Sequence, residues 1–500
     1  MIRRSGALGL AVLLAAVRAE ASPLIELTGS VGDNGGAQGV VAGPGSASAY
    51  FNPAALPFAD DEVLFGFAVV SEQIGITLDG RRGGDVPLTV GGRGILQPNG
   101  QPLPNDVVPS QWLQYGCPAG TTAGTCPSPG FAARPRQSQG SSGVTREYVT
   151  LGFVKHVIKD KLAVGAYAML PVSNFTTAQS FYSDQREALF SDSLHPELYG
   201  DRLTSISVVV GAGARILPNL SLGIGLSLGL TNTAQSATYV SDSTNYNTLL
   251  LNNSVATQAN VTPSAAFYYL PLPWLHVGGT VHTPEAFRIN TSVTATLPSG
   301  TESGTSMPEI FDWMPWSFQA GVLADVVHHG LYSMSIVGSL NYALWSAYQD
   351  RHGQSPSVYG SELGWSNTLS GALGVRHVYG PARGFIDLTY APSPAPEQIG
   401  NSNYVDNDRI GISAGGDVEI RLWSVRVRPG LQLMVDRLIY RHNTKDDSLI
   451  TDELPDGSVY AGTHDPVPGS AGLQTNNPGW PGFASAGWVW GGAFTLAVPL

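Results

Sequence analysis

The sequence predicts an all-β fold: a transmembrane antiparallel β-barrel of about fourteen strands with a small N-terminal hatch in its lumen. Three observations lead to this prediction. An export signal opens the chain, apolar and small residues alternate in many short segments, and the gaps between those segments are alternately long and short. Charged residues make up only 13% of the chain, which is about half of the usual share for a soluble domain.

The first residues have the composition of a secretory signal peptide. Arg3 and Arg4 precede an uncharged apolar run that ends at Val17, and a small-x-small cleavage pattern ends at Ala21. The run is too short to cross a bilayer as a helix, so we expect cleavage after Ala21 in preference to an uncleaved anchor. The expected division of the chain is a signal peptide at 1–21, a hatch at 22–62 and the barrel at 63–500.

The clearest strand lies between Leu220 and Leu230. Every even position in it is aliphatic, and every odd position is Ser or Gly. Alternate side chains of a strand face opposite sides. A membrane barrel would therefore turn the aliphatic side to lipid and the small side to the interior, whereas a secreted soluble β-protein, the alternative, would turn the aliphatic side into a core.

Similar alternation recurs to the end of the chain. The predicted strands are 63–77, 144–156, 161–173, 203–214, 219–231, 260–270, 274–289, 316–325, 331–345, 367–378, 384–391, 408–422, 425–440 and 486–498. The long gaps, among them 78–143 and 441–485, predict extracellular loops, and the short gaps predict periplasmic turns. A soluble sandwich has no reason to alternate gap lengths so regularly. Both termini are expected on the periplasmic side.

Charge and cysteine content restrict the partners. A net charge of −12 argues against nucleic acid. Cys117 and Cys126 lie in a Gly/Pro/Ser-rich stretch of an exported chain, which favours a local disulfide over a metal pair because no His stands nearby. His276 and His282 share a strand face, but no carboxylate or Cys completes a metal site. We expect no cofactor, no bound metal and no enzymatic activity, since no nucleophile and base are suitably placed.

Residues 22–62 do not resemble a barrel wall. They are rich in Gly, Ala and Ser with little alternation. No phosphate-loop pattern or dinucleotide-binding unit follows the glycines, so nucleotide binding is disfavoured. A wall of this many strands encloses a lumen wide enough to need blocking. The segment is therefore predicted to be a compact plug inside the barrel.

The run from Gly39 to Leu56 resembles the N-terminal hatch of the FadL/TodX family of hydrophobic-compound transporters, and its Asn52-Pro53-Ala54 matches the family's Asn-Pro-Ala motif. Further stretches resemble the family in the same order along the chain. They are Pro218 to Gly223, Asn341 to Ser346, Tyr390 to Pro394 and Asp406 to Ile410. The departures are the long Cys-bearing first loop, the long last loop and the terminal Leu500, where an aromatic residue is usual.

The resemblance implies a fourteen-stranded barrel with a hatch, and passive uptake across the outer membrane of a Gram-negative cell. Long-chain fatty acids or other hydrophobic molecules would bind an extracellular groove, move to a site in the barrel and leave through a lateral opening. Aromatic hydrocarbon uptake within the same family and a general porin are the alternatives. The expected partners are the hydrophobic ligand, outer-membrane lipid and lipopolysaccharide, and the barrel-assembly machinery during biogenesis. We expect a monomer.

Alternation also predicts which charged side chains face the lumen. The strands around the last short turn carry aliphatic residues on one face and Arg421, Arg426 and Arg428 on the other. A charge facing lipid costs about 2–4 kcal/mol at mid-membrane, so we expect the arginines to point inward. They would form either a patch that attracts a carboxylate or ion pairs with Asp417, Glu419 or the hatch. Pairing is favoured because lumen charges commonly brace a plug.

Two predicted loops are unusually apolar. In the resembling family the third and fourth extracellular loops supply the capture groove, which here correspond to 232–259 and 290–315. Leu249 and Leu250 lie in the first, and Phe311 and Trp313 in the second. Exposed apolar patches usually mark an interaction site, although packing of the loops over the barrel mouth is an equal alternative. Pro171 marks either a strand irregularity beside the lateral opening or, as we favour, the end of the third strand.

Overall fold

The structure is a computed structural model of the full chain. It describes residues 23–79, 89–90, 92–97, 99–101, 139–140, 144–172, 207–240, 249–296, 302–349, 355–358, 361–399, 402–445, 457–468 and 482–500. The signal-peptide region at 1–21 and the predicted disulfide of Cys117 and Cys126 lie outside these residues. Within them, no helix is long and apolar enough to cross a membrane.

Within the described ranges, fourteen strands form the wall of a closed barrel. They are β1 (Glu62–Leu78), β2 (Val144–Ile158), β3 (Leu162–Pro171), β4 (Ser207–Leu217), β5 (Leu220–Val240), β6 (Leu249–Leu272), β7 (Leu275–His282), β8 (Ser317–His329), β9 (Tyr332–Ala343), β10 (Thr368–Tyr379), β11 (Ala382–Ala391), β12 (Arg409–Val418, continued by Ile420–Leu422), β13 (Val425–Thr444) and β14 (Gly482–Pro499).

Each wall strand pairs antiparallel with its neighbours in the chain, and β14 returns to β1. That closing ladder runs from Glu62 opposite Pro499 to Leu78 opposite Phe483. Closure leaves no unpaired edge, which a β-structure in lipid requires because the hydrocarbon offers no hydrogen-bond partners. The predicted fold class is therefore confirmed, including the number of strands.

The alternation in β5 sorts its side chains as predicted. Leu222, Ile224 and Leu226 point outward and are 47%, 63% and 39% exposed, whereas Ser221 and Ser227 point inward and are 0% and 6% exposed. The outward face of the wall is thus aliphatic, and its inward face is built from small and polar residues. This is the sorting that a lipid environment selects.

Above the wall, the structure differs from the prediction. β7 ends at His282 and not at 289, because Pro284 cannot donate to a ladder. The chain then forms a hairpin of Glu285–Thr296 and Glu302–Met314. Ile289–Thr296 pairs in parallel with Asn232–Tyr239 of β5. The predicted loops at 232–259 and 290–315 are therefore mostly strand. We call this end of the barrel the long-loop end, and the opposite end the short-turn end.

Short elements complete the described chain. Gln139–Gly140 extends the sheet beside β1, Thr89–Val90 pairs with Arg93–Leu96, and Ser357–Val358 pairs with Ser361–Glu362. A single 3₁₀ turn, Trp345–Ala347, follows β9. Val459–Tyr460 pairs with Arg93–Leu96, so the long first and last loops contact one another through a small sheet.

The chain before β1 folds as a compact N-terminal segment, residues 23–61. It contains helix α1 (Pro23–Thr28), helix α2 (Ser48–Phe51) and a 3₁₀ helix (Pro53–Phe58). Leu24, Ile25, Tyr50 and Leu56 are fully buried. The segment packs against wall strands on every side, from β2 and β3 through β5 and β6 to β10 and β13. It therefore lies within the lumen, where the small inward side chains leave room for it.

Candidate functional site

Asn52 connects the N-terminal segment to the wall on the side of β6. Its Nδ2 donates to the carbonyl oxygens of Val40, at 2.7 Å, and of Phe267 in β6, at 3.0 Å. Its Oδ1 accepts from the backbone N–H of Ala54 at 3.1 Å and so caps the 3₁₀ helix. Asn52 is fully buried, and both its amide nitrogen and its amide oxygen are hydrogen-bonded. An amide is suited to this position because it offers both donors and an acceptor.

Glycines of the wall let the 3₁₀ helix approach closely. A Cβ at Gly213 in β4 would overlap the carbonyl oxygen of Pro53, and one at Gly223 in β5 would overlap the backbone nitrogen of Ala54. Backbone-to-backbone contact of this kind needs residues without side chains. Asn52-Pro53-Ala54, the motif singled out by sequence, thus lies against β4, β5 and β6.

On the opposite side, an ion pair holds the segment to β10 and β11. Arg376 donates to both oxygens of Asp387, at 2.6 and 3.1 Å, and to the carbonyl oxygen of Gly35 at 2.5 Å. Asp387 in turn accepts from the backbone N–H of Ala37 at 3.0 Å. Both side chains are buried, so each charge depends on the other and on the segment for its hydrogen bonds.

Asp33 adds a buried titratable group next to Gly35, whose carbonyl accepts from Arg376. Its carboxylate accepts from the hydroxyl of Ser30 and from the backbone N–H of Gly35. Burial raises the pKa of Asp33 to about 6, an effect that these hydrogen bonds and the nearby Arg383 only partly offset. The turn that carries Asp33 is therefore sensitive to pH in the range just below neutrality.

Two cavities lie beside the segment, within the half of the wall formed by β8 to β12. The lower cavity, of about 140 Å³, is bounded by Val40 and Phe51 of the segment. The upper cavity, of about 100 Å³, lies nearer the long-loop end, where Met314 and Trp345 bound it. Glu26, Asn341, Ser370, Ala391 and Arg409 line both cavities, which therefore adjoin one another.

An aromatic cluster adjoins the upper cavity through Trp345. Its members are Trp313, Trp345, Tyr348, Trp365 and Tyr404. Tyr348 and Trp365 are stacked with their ring centroids 3.8 Å apart, and Trp313 lies 5.7 Å from Trp345. Four of these rings are buried and Tyr404 is half-buried, so the cluster forms a largely apolar platform at the long-loop end of the barrel. Sequence reasoning identified only Trp313 among them.

The arginines proposed from alternation cluster at the short-turn end. Arg428 is buried and lies between 3.1 and 3.9 Å from carboxylate oxygens of Asp60, Glu62, Asp417 and Glu419. Arg428 therefore forms ion pairs with protein carboxylates, the second of the two alternatives drawn from the sequence. Through Asp60 it braces the end of the N-terminal segment.

Arg426 and Arg421 are exposed near the turn that joins β12 to β13. Arg426 lies 3.6 Å from Glu419. Arg421 stands opposite Arg426 in the β12–β13 ladder. Neither side chain contacts the two cavities, so the structure does not bring these arginines together with the aromatic cluster.

The apolar positions proposed from the loops are separated. Leu249 and Leu250 begin β6, opposite Val240 and Tyr239 of β5. Phe311 belongs to the strand Glu302–Met314, and Trp313, two residues on, is buried in the aromatic cluster. For Trp313 the structure therefore favours packing over the barrel mouth, which was the second alternative.

The remaining sequence candidates are Pro171 and the two histidines of β7. Pro171 ends β3, whose residues all pair with β2, with one irregularity between His156 and Ile158 of β2, and pair with β4 from Leu162 to Met169. His282 stacks on Tyr50 of the N-terminal segment, and His276 contacts the hydroxyl of Tyr268 at 2.8 Å. Among the described residues, no three His, Cys, Asp or Glu side chains are grouped as a metal site would require.

Sequence reasoning missed Arg376 and Asp387. Both occupy inward positions of strands whose other face is aliphatic, Leu373 and Val375 beside Arg376, and Ile386 and Leu388 beside Asp387. Inward charges of opposite sign on consecutive strands were therefore the available signal. The aromatic cluster had no comparable signal, because its members come from four separate stretches of the chain.

Comparisons with known proteins bear on the fold. No family model and no curated protein matches the sequence. The crystal structure of a FadL homologue from Pseudomonas aeruginosa is similar, with 13% identity and a TM-score of 0.53 over 96% of this chain and 98% of that one. The P. putida toluene transporter TodX has 9% identity, a TM-score of 0.46 and coverage of 95% and 99%. The Ralstonia pickettii toluene transporter TbuX has 10% identity and a TM-score of 0.42, over 95% of this chain and 98% of that one. The first of these confirms, at the level of the fold, the resemblance that the motifs indicated.

Proposed function

We propose that this chain belongs to the FadL/TodX family and takes up hydrophobic small molecules passively across the bacterial outer membrane, with the N-terminal segment as a hatch. The observation that carries the proposal is a closed fourteen-stranded wall whose lumen holds a segment fixed by buried hydrogen bonds on opposite sides, at Asn52 and at Arg376. The aliphatic outward face supports insertion into lipid. The structures of similar fold reported above are named as transporters or as a FadL homologue, and we propose no enzymatic role.

The proposed route begins at the long-loop end. A hydrophobic solute would leave water at the aromatic cluster and pass through the upper cavity to the lower one. There it would meet Val40 and Phe51, which flank the hydrogen bond from Asn52 to the Val40 carbonyl. A solute that displaces either residue would disturb that hydrogen bond, so occupancy of the lower cavity and release of the hatch would be coupled.

Lateral release is the proposed last step. The 3₁₀ helix that follows Asn52 lies on the glycine-rich inner face of β4 and β5, at Gly213 and Gly223. Few side chains would obstruct a solute there once the helix moves. Among the described residues the β3–β4 ladder is continuous, and the β4–β5 ladder is interrupted only by an irregularity between Arg215 and Leu217, so release at this face would require local opening of the wall. We place both termini, the start of β1 and the end of β14, at the periplasmic side, and propose a monomer inserted among lipid and lipopolysaccharide by the barrel-assembly machinery.

Uptake by the purified full chain in proteoliposomes tests the proposal. Labelled oleate and labelled toluene represent the fatty-acid and aromatic-hydrocarbon alternatives, and liposomes without protein give the background. We expect faster uptake than background of at least one probe, and in a host that lacks its own carrier we expect the gene to restore growth on the corresponding carbon source. If neither probe enters faster than background, passive uptake of fatty acids and of aromatic hydrocarbons is refuted.

A general porin is the competing function, and planar-bilayer recording separates the two. A hatch held on opposite sides should leave the wild-type chain with little steady ion conductance. Deleting Asn52 to Ala54 should raise conductance and alter solute uptake while the barrel stays folded. Large steady conductance of the wild-type chain would favour the porin instead.

A further inference from the structure

The lower cavity combines apolar and polar side chains. The N-terminal segment contributes Val40 and Phe51, together with the carboxylate of Glu26. The wall contributes neutral hydrogen-bonding side chains from four consecutive strands: Gln319 in β8, Ser339 and Asn341 in β9, Ser370 in β10 and Thr389 in β11. A channel for pure hydrocarbon has no use for so many polar groups, since an apolar occupant would remove them from water without replacing its hydrogen bonds.

The charges in the cavity do not suit an anion. Glu26 accepts from the hydroxyl of Tyr50 at 2.9 Å and from Nε2 of Gln319 at 3.2 Å. Arg409, the cation that lines the cavity, already faces Asp436, with Nε 3.7 Å from its Oδ2. The carboxylates of Glu26 and Asp436 thus accompany the single guanidinium of Arg409. A third carboxylate, that of a fatty acid, would lose its hydration without gaining a cation of its own.

Asn341 supplies the specific polar contact. It lines both cavities, and its Oδ1 is buried without a hydrogen-bond partner. A buried amide oxygen that lacks a partner is costly, and a ligand O–H would satisfy it. The hydroxyls of Ser370 and Thr389 face the same space. That of Ser370 donates to the carbonyl oxygen of Asn341 at 3.4 Å and so offers a ligand an acceptor, whereas a threonine hydroxyl can donate or accept.

We infer that the lower cavity selects a neutral amphiphile, a small hydrophobic molecule that carries a hydroxyl or carbonyl group, over both a carboxylate and a pure hydrocarbon. The inference rests on the proposed function and names its substrate class. The ligand's ring or chain packs on Val40 and Phe51, while its polar group contacts Asn341, Ser370 or Thr389. A cavity of about 140 Å³ is close to the ~150 Å³ that accommodates benzene, so a single ring fits it.

Three single-ring probes of nearly equal size test this directly: benzyl alcohol, benzoate and ethylbenzene. Binding is measured by equilibrium dialysis at pH 7 against the full chain in nanodiscs, and protein-free nanodiscs correct for partition into lipid. Because Trp345 lines the upper cavity, tryptophan fluorescence reports separately on occupancy of that cavity. We expect benzyl alcohol to bind at least about tenfold more tightly than either other probe, as one or two added hydrogen bonds predict.

A matched pair of variants locates the binding. Thr389→Val removes a hydroxyl from the lower cavity, whereas Thr150→Val removes one from an inward position of β2 that lines neither cavity. We expect Thr389→Val to weaken benzyl alcohol binding about fivefold and to leave ethylbenzene unchanged, with no effect of Thr150→Val. Heat-modifiable migration on gels confirms that both variants are folded barrels.

Three results would overturn the inference: benzoate or ethylbenzene binding as tightly as benzyl alcohol, none of the probes binding, or equal effects of the two variants. Proteoliposome uptake measured on the same preparation separates this from failure of the proposed function. Uptake of oleate or toluene without the expected preference refutes only the substrate class, whereas loss of all uptake refutes the transport role as well.

Discussion

Asp387 in β11 accepts both guanidinium hydrogen bonds of Arg376 in β10, and the same two side chains bind the N-terminal segment through the Gly35 carbonyl and the Ala37 N–H. The pair therefore links two wall strands to each other and also attaches the N-terminal segment to the wall. Because it is buried, the charge of one residue is tolerable only while the other is present. Removing one partner should consequently affect the segment before it affects the barrel.

The first prediction concerns that ion pair. Asp387→Asn leaves Arg376 buried without a counter-charge, and we expect it to weaken docking of the segment by about 3–5 kcal/mol. Hydrogen exchange of residues 23–61 should rise while exchange in the wall strands stays low, and ion conductance in planar bilayers should increase.

Two controls accompany the Asp387 variant. Asp325→Asn makes the same chemical change at an exposed carboxylate bonded to Ser335, and it should have no effect. The double variant Arg376→Met with Asp387→Leu removes both charges, so it should recover part of the lost protection. Unchanged exchange of the segment in Asp387→Asn would show that the ion pair does not hold it.

The second prediction concerns Asn52. Asn52→Asp keeps an acceptor for the Ala54 N–H but loses the donor to the carbonyls of Val40 and Phe267, against which it would place a negative charge. We expect a loss of about 1–3 kcal/mol in docking, with faster proteolysis of the segment and increased conductance. Asn219→Asp, in the turn between β4 and β5, is the matched control. Equal proteolysis of the two variants would contradict the role given to Asn52.

The wall was predictable because lipid imposes a rule on every strand. Leu222, Ile224 and Leu226 had to alternate with small residues for β5 to face hydrocarbon on one side, and that rule is visible in one dimension. Beyond these membrane-facing stretches the pattern was a poorer guide. Residues 232–240 of β5 carry little alternation and were predicted as a loop, although they continue the strand. Residues 290–296 do alternate, but they were assigned to a loop and pair in parallel with β5 instead.

The site was only partly predictable, for a different reason. Asn52 belongs to a local motif whose contacts begin within the segment itself, so a short sequence sufficed to identify it. The packing of Trp313 against Trp345, or of Tyr348 against Tyr404, joins connections that are separate in the sequence. Such contacts depend on how these connections meet at the end of the barrel, which sequence periodicity does not describe.

The third prediction concerns pH. Burial raises the pKa of Asp33 to about 6, above the ordinary value of about 3.8 that it would have when the segment is undocked. The docked form therefore binds the proton more tightly, and docking is strongest below the ordinary value and weakens as pH rises through about 6. Arg383, Asp417 and Glu62 are charged groups that interact electrostatically with it.

Hydrogen exchange tests this dependence once the intrinsic effect of pH on exchange rates is corrected. Protection of residues 23–61 should be greater at pH 5 than at pH 7.5. Asp33→Asn cannot ionise, so it should retain most of the protection at pH 7.5 and show a flatter profile. Protection that is the same at both pH values in the wild-type chain would rule out Asp33 as the group responsible.

The fourth prediction concerns the glycine face under the 3₁₀ helix. A Cβ at Gly223 would overlap the backbone of Ala54 and Pro53, and backbone cannot move aside as a flexible side chain can. Gly223→Ala should therefore displace the helix that follows Asn52, with increased exchange at 53–58 and a leak in planar bilayers, while the β4–β5 ladder persists. Gly338→Ala is the control, because its Cβ would have only ordinary contacts, the nearest at 3.7 Å with Leu373. If Gly223→Ala leaves exchange and conductance at wild-type values, the close contact between this face of the wall and the hatch has no part in keeping the channel closed.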